Sequence, residues 1–104
     1  MATNPSTINF LTEQLENAGN IRFRKMFGEY ALYCNEKVIG LVCDDKLFIK
    51  PTDAGREYIG TPTEAPPYPG AKNYFQISED YWDDKEYLCA LVEITTKSLP
   101  AKKK

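Results

Sequence analysis

Two tetrapeptides, nine residues apart, constrain this chain more than anything else in it. Cys34-Asn35-Glu36-Lys37 and Cys43-Asp44-Asp45-Lys46 have one form: an apolar residue, a polar one, an acid and a lysine. Around them lie apolar runs too short for helices: Tyr30 to Cys34, Val38 to Cys43 and Leu47 to Ile49. Asn and Asp tolerate the left-handed backbone that two-residue hairpin turns require. The pattern therefore predicts an antiparallel meander over residues 21–50, opened by the alternation of Ile21 and Phe23 with Arg22 and Arg24, with Gly28 at the bend between its first two strands. If the two tetrapeptides are turns, Cys34 and Cys43 lie at opposite ends of the meander. Roughly 17–20 Å of strand then separates them, which excludes a disulfide between them.

The flanks read as helices. Ile8, Leu11, Leu15 and Ala18 recur at helical spacing, Asn4 is placed to cap, Pro5 suits the first turn, and Gly19 suits the end. The first helix is predicted over 5–18. A short helix follows Thr52, the proline-rich stretch from Gly60 to Gly70 reads as a loop, and Asn73 to Ile77 as one more strand. The last helix is predicted over 79–98, capped by Ser78, with Tyr81, Leu88, Leu91, Val92 and Thr95 on its inner face. Residues 101–104 form a frayed basic tail. The expected fold is a single α+β domain spanning 1–104, in two layers, with helices on one face of an antiparallel sheet in the order α-β(3–4)-α-β(1–2)-α. Such a domain leaves one sheet face or edge open, a surface that serves homodimerisation or partner docking.

Composition narrows function mainly by exclusion. A chain of 104 residues that is 42% hydrophobic and 27% charged holds one globular core and no separate catalytic domain. Its net charge of −2 supplies no global field for nucleic acid or anionic lipid. No apolar run approaches the roughly 20 residues that span a bilayer, and the N-terminus has no signal-like stretch, so the expected location is the cytoplasm, away from membranes. There is no histidine, and the three cysteines are unpatterned. That removes the commonest general base and metal ligand and leaves zinc without a ligand set. The expectation is no enzyme, no metal and no cofactor.

The candidate sites are few. Asp44-Asp45 is a carboxylate pair, but a solvated turn does not drive two pKa values apart, so a turn role is expected. The acids Glu79, Asp80, Asp83, Asp84 and Glu86 read as a solvated helix start. Arg22, Arg24 and Lys25, beside Phe27 and Tyr30, form a basic cluster interleaved with aromatics, the chemistry that holds phosphates and stacks bases. The Lys102–Lys104 tail would add to it. Tyr68-Pro69-Gly70-Ala71 is either a rigid recognition loop or a cover for the sheet edge. No serine sits in a nucleophile motif, and no glycine-rich phosphate loop is present.

Three blocks carry a resemblance: Arg24-Lys25-Met26-Phe27-Gly28-Glu29-Tyr30-Ala31-Leu32-Tyr33, then Leu41 to Lys50, then Pro67-Tyr68-Pro69-Gly70-Ala71. In order and spacing they resemble the N-terminal domain of the TfoX/Sxy family, bacterial regulators of DNA-uptake competence. The likeness runs from about Ile21 to Leu99. Where family members show a Phe-Gly-Gly-Tyr-Gly run, this chain has Glu29 and Ala31 in place of two glycines. The resemblance implies an α+β fold and a non-enzymatic regulatory domain that binds a protein partner, with transcription machinery as the candidate. It implies a stand-alone N-domain, without the second, helical domain of the full-length regulators. The surface expected to carry partner binding comprises Arg24, Lys25, Phe27, Gly28, Tyr30, Tyr33, Tyr68, Pro69 and Gly70. The alternative is a nucleic-acid-binding accessory domain using Arg22, Arg24 and Lys25.

Overall fold

Both hairpin turns form with the backbone their residues suggest. In the computed structural model, which describes residues 4–26 and 29–99, Asn35 and Glu36 have φ of 53° and 69°, and Asp44 and Asp45 have 53° and 59°. Two consecutive positive φ values define the type I′ turn, whose twist matches that of the flanking strands. The meander that results runs β1 (Ile21–Met26), β2 (Glu29–Cys34), β3 (Lys37–Cys43) and β4 (Lys46–Ile49). Gly28, expected at the first bend, lies outside the described residues.

The remaining elements are α1 (Pro5–Leu15), α2 (Asp53–Ile59), β5 (Thr63–Ala65), β6 (Tyr74–Ile77), a 3-10 turn (Glu79–Tyr81) and α3 (Lys85–Ser98). The strands make one six-stranded antiparallel sheet in the order β1-β2-β3-β4-β6-β5. All helices lie on one face, so the fold is the two-layer α+β domain expected from periodicity. Ile8, Leu11 and Leu15 of α1 meet Leu88, Leu91 and Val92 of α3 over Leu32, Ile39, Leu47, Ile49 and Phe75 of the sheet. Gly55 brings α2 close: a Cβ there would stand 3.6 Å from the Phe75 ring and 3.8 Å from Leu91.

Three boundaries differ from expectation, each for a tertiary reason. The first helix stops at Leu15 rather than 18, with Glu16 as its C-cap. Ala18 is buried all the same, because the chain turns back through Gly19 at φ 145° and lays the Ala18 carbonyl against the Cys34 thiol. A Cβ on Gly19 would come within 2.9 Å of the Cys34 Sγ. The predicted helix over 79–98 is divided. Ser78 caps only the 3-10 turn; Trp82 then enters the core, donating Nε1–H to the Ile77 carbonyl and accepting at its own carbonyl from Gln14. Asp84 caps a fresh start at Lys85 by accepting from the Tyr87 N–H. Tyr81 consequently lies outside, 47% exposed and stacked on Tyr87, whereas Leu88, Leu91, Val92 and Thr95 face inward as expected. Finally, the stretch from Gly60 to Gly70 is not all loop. Thr63 to Ala65 pair with β6 as a three-residue edge strand, the one place in a sheet where flanking prolines are tolerated.

Candidate functional site: the open face of the sheet

Strand alternation gives the sheet a second face, with no helix on it among the described residues. Register places Arg22 and Arg24 of β1, Glu29, Ala31 and Tyr33 of β2, and Val38, Leu41 and Cys43 of β3 on that side. Lys46 and Phe48 of β4 and Tyr74 and Gln76 of β6 continue it. The floor is apolar and largely closed: Ala31, Cys43 and Phe48 are buried, and Tyr33, Val38 and Leu41 are half-buried.

A bulge decides which β3 residues reach this floor. Pairing runs Leu32 to Gly40 and then Tyr33 to Val38, so Ile39 is the extra residue. Ile39 drops into the core while Val38 and Leu41 both face outward. Strict alternation would send Leu41 inward.

Charge is placed around this floor. Arg22 is occupied on two sides: its guanidinium carbon sits 4.7 Å from the centre of the Tyr33 ring, and it donates to Glu36 at 2.9 Å. Both partners of that ion pair are at least half exposed, so it contributes little stability. Arg24 and Lys46 make no ion pair among the described residues. Burial, reinforced by the nearby Glu29 and Asp44 carboxylates, pushes the Cys43 thiol up to about 11. It is a neutral floor group and not a nucleophile. All three cysteines are free, and Cys34 and Cys43 lie at opposite ends of the meander.

The loop before β6 connects it to the edge strand β5. The Tyr68 carbonyl accepts from the Ala71 N–H at 3.1 Å, with Gly70 at φ 89°, the pattern of a type II turn around Pro69-Gly70. Pro67 is buried beneath it, and Tyr68 is held outward, 56% exposed. Pro67 therefore packs while Tyr68, the next residue, faces solvent. Tyr74 has its phenol pushed up by burial and by the neighbouring Tyr68 and Cys43.

The expected partner surface is therefore brought together only in part. Arg24 and Tyr33 share the open face, and Tyr68, Pro69 and Gly70 lie in the β5–β6 connection, at the other end of the strand order from β1. Lys25 and Tyr30 register together on the other face, where Tyr30 packs on the core. Phe27 and Gly28 lie outside the described residues. The basic cluster is likewise divided: strand alternation separates Lys25 from Arg22 and Arg24. Asp44 and Asp45 are turn residues, and the Asp45 carboxylate accepts from Asn4 N–H and the Thr7 hydroxyl. Among the described residues no group of three side chains is arranged to hold a metal, and no helix is long and apolar enough to cross a membrane.

Val38, Leu41 and Tyr74 belong to the face but not to the expected surface. A tyrosine row, Tyr58, Tyr87 and Tyr81, was also not anticipated; its ring centres are 5.2 Å and 4.7 Å apart across α2, α3 and the 3-10 turn.

In class the chain is a two-layer α+β domain with one face of its sheet uncovered by the described helices. In family it is specific: the model of the TfoX N-terminal domain matches residues 13–98, and the chain belongs to that family. It is also similar to an uncharacterized 12.7 kDa protein from the trpE 5' region of Spirochaeta aurantia. The two are 43% identical over 103 residues, covering 99% of this chain and 89% of the relative.

Proposed function

We propose that this chain is a non-catalytic regulatory domain of the cytoplasm that holds a protein partner on the open face of its sheet. The observation that carries the reading is the half-buried floor of Tyr33, Val38 and Leu41 beside Arg24 and Lys46, which make no ion pair among the described residues. An apolar centre with a charged rim is the anatomy of a protein interface. Family membership adds direction, since TfoX-type proteins are regulators of competence, and transcription machinery is the partner class this favours. The nucleic-acid reading is weaker, because Arg22 is already engaged by Glu36 and Tyr33, and Lys25 faces away from Arg24.

The test is capture from nuclease-treated host lysate, comparing the native chain with Leu41→Arg on the open face and Lys97→Glu on the helical layer. Partners kept by Lys97→Glu and lost with Leu41→Arg support the reading. Partners retained equally by all three, or lost on nuclease treatment, overturn it.

A further inference from the structure

The sheet ends differently on its two sides. β5 has three residues and lies between Pro62 and Pro66, so another strand has little to pair with. β1 has six residues and no proline. Asn35 N–H donates to the Asn20 carbonyl at 2.9 Å, one pair before β1 begins. In an antiparallel ladder bonded pairs alternate, so Arg22 bonds Tyr33 and Arg24 bonds Ala31. The main-chain groups of Ile21, Phe23 and Lys25 then point away from the sheet. Among the described residues no backbone hydrogen bond from a turn, loop or cap reaches them.

Side chains along this edge sort by face. Ile21 and Phe23 pack half-buried against the core, while Arg22 and Arg24 stand on the open face. A second copy of β1 is a poor occupant. The central antiparallel registers set Arg22 against itself, Arg22 against Arg24, or Arg24 against itself, and like charges directly opposite destabilise a pair. The same charges favour a strand of opposite sign.

We propose that β1 is the docking edge for an extended segment of a partner protein in which acidic and apolar residues alternate. Main-chain bonds to Ile21, Phe23 and Lys25 supply the pairing. The alternation places carboxylates beside Arg22 and Arg24 and apolar side chains beside Ile21 and Phe23. This rests on the reading that the partner lies on the open face, and it names the partner's shape and charge.

The test uses a capped synthetic peptide of alternating Glu and Val, seven residues long, titrated against the whole chain. Controls carry Lys in place of Glu, or N-methyl groups on alternate amides in either phase. Expected are slowed exchange of the Ile21, Phe23 and Lys25 amides and a loss of about tenfold in affinity for one N-methyl phase only, the cost of main-chain bonds on a single edge. Arg24→Glu, an exposed change that leaves the fold intact, is expected to weaken the Glu peptide and strengthen the Lys peptide. Equal binding of both N-methyl phases, equal binding of Glu and Lys peptides, or no slowing of those amides at about 1 mM peptide overturns the inference. If the peptide fails while Leu41→Arg still strips partners from lysate, the edge falls and the open-face reading stands. If both fail, both fall.

Discussion

The two faces of this sheet are built from the same strands and solve opposite problems. On the helical face, Leu32, Ile39, Leu47, Ile49 and Phe75 are fully buried under α1, α2 and α3. On the other face a small residue, a neutral thiol and one phenylalanine are buried, and Tyr33, Val38 and Leu41 remain partly in water. The first face holds the domain together. The second keeps apolar area available at little cost to solubility, because arginine and lysine stand around it.

Substitutions on each side test that contrast. Phe75→Ala is expected to cost about 3–5 kcal/mol in denaturant unfolding, whereas Leu41→Ala is expected to cost less than about 1 kcal/mol. Similar losses at both would mean that the open face is as structural as the core. Gly40 lies between the faces, where the bulge presses β3 on β4. A Cβ there would fall on the Phe48 carbonyl oxygen and within 3.2 Å of Ile49 Cδ1. Main chain cannot yield as a side chain can, so Gly40→Ala is expected to destabilise by about 1–3 kcal/mol.

Smaller effects sharpen the picture at the turns and the floor. Glu36 holds a left-handed backbone in exchange for one exposed ion pair. Glu36→Gly is expected to raise stability by about 0.5–1 kcal/mol, read as a shift in the urea midpoint, because relief of the backbone outweighs the pair. The smallest effect concerns Cys43. Its thiol titrates at about 11 in the folded chain against 9.0 when unperturbed. Raised in the folded state, it contributes stability that is complete below pH 9 and lost as pH rises through 11. Cys43→Ser is expected to flatten that alkaline decline; an unchanged decline would assign it elsewhere.

What could be read in the sequence was what is local. Turn chemistry at Asn35-Glu36 and Asp44-Asp45 is sufficient to set the meander, and helical spacing is sufficient to find Leu11, Leu15, Leu88 and Leu91. What escaped depends on distant partners. Ala18 keeps helical spacing without being helical, because the chain turns back at Gly19 and its carbonyl accepts from the Cys34 thiol. Trp82 divides an acidic, well-capped stretch because the core takes its ring and Gln14 takes its carbonyl. β5 is three residues long and largely exposed, too short to leave a periodic mark on side-chain pattern. The site was harder still. Arg24 and Lys25 are neighbours in sequence and opposed in space, and a one-residue bulge at Ile39 reverses the face on which Leu41 is found.

The two echoing turns have a further consequence, for the order of folding. Lys37, closing the first, donates to the Thr96 and Leu99 carbonyls at 2.9 and 3.0 Å, at the end of α3. Asp45, within the second, accepts from Asn4 and Thr7 at the start of α1, at 2.8 and 2.9 Å. Each long helix thus has one end fastened to a hairpin tip roughly 40–60 residues away in the chain. Such distant contacts form late, after the local closure of the hairpins. The meander is the jig on which the helices are assembled. In pulsed hydrogen exchange the first turn of α1 is expected to gain protection after the β3–β4 hairpin; protection gained together with or before it would overturn that order.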